Sequence, residues 1–185
     1  MTENIELSLS HDEIAEAIQT AAHEVFATML GIEIMSHARM TEQTVAAAPS
    51  GGVVSLIGLA GAWAGTGSLS CTAHFACKMS SQFLMTELPA VDEEVLDAVA
   101  EITNMIIGNV KTMLELKVGN MGLSTPTVIF GRNFQTRSAR IHDWTVVRFT
   151  CGEDQFYVQL CLAPNRDGSV RGLRPGFQFP QLLNV

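Results

Sequence analysis

The sequence predicts a mixed α/β fold of the α+β kind, made of helices and antiparallel strands. Two runs, one near the start and one at mid-chain, place apolar residues at spacings of three and four, as a helix with one buried face requires. The segments after each run alternate apolar and polar residues, favour β-branched side chains and are broken by glycines, as antiparallel strands are. The order helix then meander occurs twice. The 185 residues therefore read as a single domain over 1–163, built from two related halves at about 11–88 and 92–163, followed by a tail over 164–185.

The first helix is expected over Asp12–Leu30. Ser10 can cap it with Glu13 three residues on, Ile14, Ala17, Ile18, Ala21, Ala22, Val25 and Met29 form its stripe, and Gly31 ends it. Strands of an antiparallel meander follow at 32–40, 44–48, 52–59 and 66–75. A short helix over 78–88 stops at Leu88-Pro89, because the residue before proline is driven out of helical backbone. The second long helix starts near Asp92, with acidic residues where the helix dipole favours them, and runs to about Val118 before Gly119 and Gly122. Leu96, Val99, Ile102, Ile106, Val110 and Met113 form its buried stripe. Three more strands follow at 124–130, 143–151 and 155–163. An ungapped shift of 84 positions sets Ala27-Thr28-Met29-Leu30 over Lys111-Thr112-Met113-Leu114, which supports a duplication weakly. The tail from Pro164 turns to Gly, Pro and Arg and would dock over the surface through Phe177, Phe179 and Leu182.

Composition removes several classes of function. A formal charge of −8 opposes binding to a phosphate backbone, and Arg132, Arg137, Arg140, Arg148, Arg166, Arg171 and Arg174 lack the interleaved aromatics of a stacking platform. The N-terminus begins acidic, without a basic segment followed by an apolar core, which predicts no secretory signal. The longest apolar run, Val53–Ala64, is interrupted by Gly58 and Gly61 and falls short of a membrane span. A cytoplasmic protein is expected. Cys71, Cys77, Cys151 and Cys161 have no C-x-x-C spacing and read as small buried thiols.

The familiar catalytic patterns are missing. His23-Glu24 opens like a zinc-protease helix, but Ala27 stands where the second histidine belongs. His74 and Cys77 lack spaced companions for a metal site, and both are expected to pack at a strand end. Gly58, Gly61, Gly65 and Gly67 match neither a dinucleotide nor a P-loop fingerprint, and are expected to serve tight turns and close strand packing. The unusual residues are on the second long helix. Glu101, Asn104 and Gly108 fall on the side away from the apolar stripe, although Asn and Gly are poor helix formers, Gly by roughly 0.8–1 kcal/mol relative to Ala. Such a face would let a second protein approach the helix backbone between a carboxylate and an amide.

Taken together, Glu101-Ile-Thr-Asn104 with Gly108-Asn109, the following Leu123-Ser-Thr-Pro126-Thr-Val-Ile-Phe-Gly131, and the glycine-rich strands before them resemble the CheX branch of the CheC/CheX/FliY chemotaxis phosphatases, over roughly residues 5–163. The resemblance implies a pseudo-twofold fold of long helices packed on an extended antiparallel β-sheet, a homodimer, and hydrolysis of the aspartyl phosphate of a CheY-like response regulator. It implies that Asn104 orients the attacking water and that Glu101 pairs with the regulator's active-site lysine, with Gly108 and Asn109 contacting the partner. Under the 84-position shift Ala17 and Thr20 lie over Glu101 and Asn104, so the motif is confined to the second half, as in CheX proteins. No cofactor or metal is expected on this chain itself; Mg²⁺ would belong to the regulator. The alternative is a non-catalytic adapter that binds regulators, related to the flagellar switch proteins.

Overall fold

Ser10 begins the first helix as its spacing requires. Its hydroxyl accepts from the Glu13 N–H at 3.2 Å while the Glu13 carboxylate accepts from the Ser10 N–H at 2.9 Å, a reciprocal capping box. The structure, a computed structural model, describes residues 8–42, 52–131 and 143–165. The strand expected at 44–48, the arginines at 132, 137, 140, 166, 171 and 174, and the tail from 166 onward lie outside these residues.

Helix α1 spans His11–Val25. The expected regular helix to Leu30 is corrected in its last part: Phe26–Leu30 widens into a π-helical turn that closes on Gly31, whose φ of 65° is left-handed. Helix α2 runs over Ala73–Leu84 rather than 78–88. The Thr72 hydroxyl accepts from the Phe75 N–H at 3.1 Å, and this cap draws Ala73–Phe75 out of the strand expected there. Met85 stops α2 in the left-handed region at φ 54°, short of Pro89. Helix α3, Glu93–Val118, matches its expected bounds, with the Asp92 carboxylate accepting from the Val95 N–H at 3.0 Å.

Among the described residues, eight strands form one antiparallel sheet: β1 (Met35–Ser36), β2 (Met40–Glu42), β3 (Gly52–Gly61), β4 (Trp63–Thr72), β5 (Met121–Leu123), β6 (Thr127–Gly131), β7 (Trp144–Cys151) and β8 (Asp154–Pro164). The order is β1-β7-β8-β4-β3-β5, with β2 also on β7 and β6 also on β3. The two meanders of the sequence thus interleave within one sheet. The hairpins β3–β4 and β7–β8 join along β4 and β8, from Trp63↔Pro164 to Cys71↔Phe156. Each outer edge is then covered by short strands from the other part of the chain, which protects backbone groups that would otherwise be open to pairing. The continuous strand expected at 32–40 is divided into two short ones, whereas the strand expected at 124–130 begins only at Thr127 and is preceded by an additional short strand, β5.

The three helices share a core with the sheet. Phe156 stacks on Phe26, Phe149 and Phe75, at ring-centroid separations of 4.8, 5.0 and 5.1 Å, and so ties β8 to the π-helical turn, β7 and α2. Val99, Ile102, Ile106 and Val110 of α3 are fully buried as expected, while Leu96 and Met113 are half-buried. Thr103 and Ile107 are buried too, because α1 and α2 flank α3 and widen its covered face. Ile107 lies over Gly67 of β4: a Cβ at residue 67 would come within 2.8 Å of its Cδ1. A Cβ at Gly65 would lie 1.8 Å from the Cys161 carbonyl oxygen. These two glycines thus serve close approach, one to a helix and one to the neighbouring strand.

Gly67→Ala should lower stability by about 1–3 kcal/mol through overpacking against Ile107, read as a lower urea midpoint. The acid limb is set partly by Glu13. The hydrogen bond from Lys117, with those from Ser10, lowers its pKa from 4.5 to about 2. A depressed carboxyl pKa stabilises the fold above the unfolded value and loses that contribution as pH falls through the folded one. The urea midpoint should therefore drop as pH falls from about 4.5 to about 2, and Glu13→Gln should flatten that drop.

Candidate functional site

Burial of α3 on the sheet fixes which of its residues face outward. Glu101 is exposed, and Asn104, Gly108 and Asn109 are half-buried. At about 100° per residue, Gly108 lies about 20° and Asn104 about 60° from Glu101 in one sense around the axis, whereas Asn109 lies about 80° in the other. Glu101, Asn104 and Gly108 form one face, with Asn109 on its flank.

The two side chains of the motif are uncommitted: among the described residues, neither Glu101 nor Asn104 has a hydrogen-bond or ion-pair partner. Their helical neighbours are tied. Lys111 donates to Glu115 at 2.8 Å, Glu115 accepts from the Met121 N–H at 2.6 Å, and the Gly108 carbonyl accepts from the Thr112 hydroxyl at 3.0 Å. Internal packing does not demand a glycine at 108, since a Cβ there would meet only Leu123 Cδ1, at 3.8 Å.

Beside Glu101 lies a groove of about 500 Å³ between the end of α2 and the first half of α3. Phe83, Leu84 and Ala98 give it apolar walls, and Glu94, Asp97 and Glu101 line its α3 side. Ala98 is buried in this groove instead of standing clear on the helix surface. The spacing Glu94, Asp97, Glu101 places three carboxylates along one line of the helix, a signal the sequence carries on its own. The part played by α2 left no such signal, because it depends on how two helices meet.

A smaller cleft, about 260 Å³, lies between α1 and the last turns of α3. It is lined by Ala17 and Thr20, and its Glu13 is held by Ser10 and Lys117. It offers neither a free carboxylate at 17 nor an amide at 20.

The remaining reactive side chains serve packing and surface pairing. Burial pushes the Cys71, Cys77 and Cys161 thiols above their ordinary pKa, which disfavours the nucleophilic thiolate. His74 stands exposed in the first turn of α2, not packed at a strand end, with its Nδ1 3.1 Å from Asp154. Lys78 donates to the other oxygen of Asp154 at 2.9 Å. Burial raises the Asp154 pKa, but the hydrogen bonds from Lys78 and His74 outweigh it and leave the carboxyl below its ordinary value. Among the described residues, no group of three or more His, Cys, Asp or Glu side chains could hold a metal ion, and no helix is long and apolar enough to cross a membrane.

An exposed carboxylate and amide, one helical turn apart and free of internal partners, can recognise a cation and orient a small molecule only when a second surface completes the site. Comparison with known proteins bears on that surface. Residues 53–150 match the family model for the chemotaxis phosphatase CheX. A search of curated protein sequences gives no match. The fold is shared with CheX from Desulfovibrio desulfuricans at 25% identity and a TM-score of 0.71, over 82% of this chain and 99% of that one. It is shared with the CheX–CheY–BeF₃–Mg²⁺ complex from Borrelia burgdorferi at 25% identity and a TM-score of 0.66, over 80% of this chain and 96% of that one. FliY from Thermotoga maritima, at 19% identity and a TM-score of 0.63 over 86% of this chain and 91% of that one, shares the fold alone. Mixed helices on an antiparallel sheet, these structural likenesses and the family match over more than half the chain agree: the protein belongs to the CheX chemotaxis phosphatase family.

Proposed function

We propose that this protein hydrolyses the aspartyl phosphate of a CheY-like response regulator, with Asn104 orienting the attacking water and Glu101 pairing with the regulator's active-site lysine. The observation that carries the reading is the Glu101-x-x-Asn104 pair, outward-facing and uncommitted on α3, in a chain of the CheX family. The Borrelia burgdorferi structure, in which a CheX is bound to CheY with BeF₃ and Mg²⁺, supports a CheY-like partner by likeness.

The chemistry suits these side chains. An acyl phosphate is already activated, and the regulator brings the Mg²⁺ that neutralises charge on the phosphoryl oxygens, so the element to be supplied is a positioned nucleophile. The Asn104 amide can accept a hydrogen bond from water and donate one, which holds the water in line without a general base of tuned pKa. Water oxygen bonds to phosphorus as the bond to the aspartyl oxygen breaks, and the products are the free carboxylate and inorganic phosphate. Glu101 acts by ionic pairing at the rim, fixing the approach of the two proteins. Gly108 keeps the helix face low between them.

Asn104→Ala should remove the accelerated dephosphorylation of a CheY-like regulator from the same genome, assayed with Mg²⁺, while leaving binding in place. Glu101→Ala should chiefly raise the regulator concentration needed for half-maximal rate. Acceleration that survives Asn104→Ala would remove the amide from the mechanism, and binding without acceleration by the native protein would favour the adapter. Gly108→Ala separates folding from docking. It should stabilise the helix by up to about 1 kcal/mol, read as a higher melting temperature, yet weaken dephosphorylation at low regulator concentration.

A further inference from the structure

The groove beside Glu101 has features that a water-positioning helix does not need. Its α2 wall ends in Leu84, 43% exposed, followed by Met85, 93% exposed. Met85 is the one non-glycine residue with positive φ among those described, a conformation unfavourable for a side chain of this kind. The turn that carries it is anchored. Thr86 N–H donates to the Ser81 carbonyl at 3.1 Å, Leu88 N–H donates to the Ser81 hydroxyl at 3.0 Å, and Leu88 itself is buried. The two apolar side chains are therefore held out on a fixed turn. On its α3 side Glu94, Asp97 and Glu101 line the groove, and among the described residues no cationic side chain lines it.

We propose that this groove is a second docking element for the phosphorylated regulator, seating a surface segment of the receiver domain that carries a lysine or arginine beside an apolar side chain. Phe83 and Leu84 take the apolar side chain, Met85 meets it from the rim between the lining residues Leu84 and Thr86, and Glu94 and Asp97 take the cation. Charge complementarity selects this occupant: three carboxylates along one helix line disfavour an acidic or phosphorylated segment, and an apolar wall facing them disfavours a wholly charged one. The groove is continuous with Glu101, so a receiver whose active-site lysine meets Glu101 reaches it in the same encounter. The inference rests on the proposed function, and it assigns to α2 the choice among regulators that share the same active-site lysine.

The test uses the full chain, a CheY-like receiver domain from the same genome phosphorylated by acetyl phosphate, and the variants Met85→Gly, Asp97→Lys and their combination. Glycine accepts the left-handed conformation at 85, and Met85 contributes little to the core, so the melting temperature should not fall. The combined variant should raise KM about tenfold or more with kcat at saturation within about twofold of native, as loss of a docking contact does. Native KM should rise with salt, and Asp97→Lys should flatten that dependence. An unchanged KM in an active, folded double variant would overturn the groove and leave the proposed function standing. A native protein that binds the receiver without hydrolysis, with binding weakened by the same variants, would support the groove and overturn the phosphatase reading. Neither binding nor hydrolysis by the native protein would overturn both.

Discussion

Everything functional in this protein depends on how α3 is seated. Ile107 enters the space left by Gly67 on β4, and Val99, Ile102, Ile106 and Val110 cover the sheet on either side of it. Each such side chain contributes roughly 1.5–3 kcal/mol when fully buried. Turning the helix far enough to hide Asn104 would expose several of them at once, a cost comparable to the whole stability of an ordinary domain. The rotational setting of α3 is thus fixed by the core, and the direction in which Glu101 and Asn104 face follows from it. A flexible loop bearing the same two residues would have no comparable constraint.

That rigidity suits the proposed division of the active site between two proteins. A positioned amide is effective only to the extent that its geometry is set before the partner arrives, and a helix buried on one side provides this better than a loop. The apparent extravagance of an interior helix residue as unfavourable as Gly108 becomes intelligible in the same terms. Among the described residues none packs closely enough on position 108 to require a glycine, so the reason for it is to be sought outside, in what approaches the helix. The first part of the chain shows the contrast. Around α1 the corresponding cleft is lined by Ala17 and Thr20, and Glu13 is committed to the capping box and Lys117, so its polar groups maintain structure.

Much of this was legible in the sequence, and what was not has physical causes. The bounds of α3 could be read because its signals agree: an Asp92 cap, a long stripe at helical spacing and a terminal glycine. The hairpin strands could be read from their alternation. The start of α2 could not, since Ala73–Phe75 continues an apolar alternation and only the Thr72 cap converts it to helix. The π-helical turn at Phe26–Leu30 leaves no periodic mark in five residues. Interleaving of the sheet is a choice of strand partners, and alternation reports that a strand exists without saying which edge it joins. Of the candidate site, the outward face of α3 followed from rotation alone. The groove did not, because its second wall comes from α2 and exists only where two helices end side by side.

On the proposed mechanism, catalysis resides in the placement of the Asn104 amide and not merely in its presence. Asn104→Gln keeps the amide and moves it outward by one methylene group, so the decay of the regulator's aspartyl phosphate at saturating concentrations of this variant is the most direct measurement. The account predicts that decay falls back towards the regulator's own rate, a loss of the order of 10² if the displacement is about 1 Å, with the complex still formed. Decay at the native rate in that complex would contradict it.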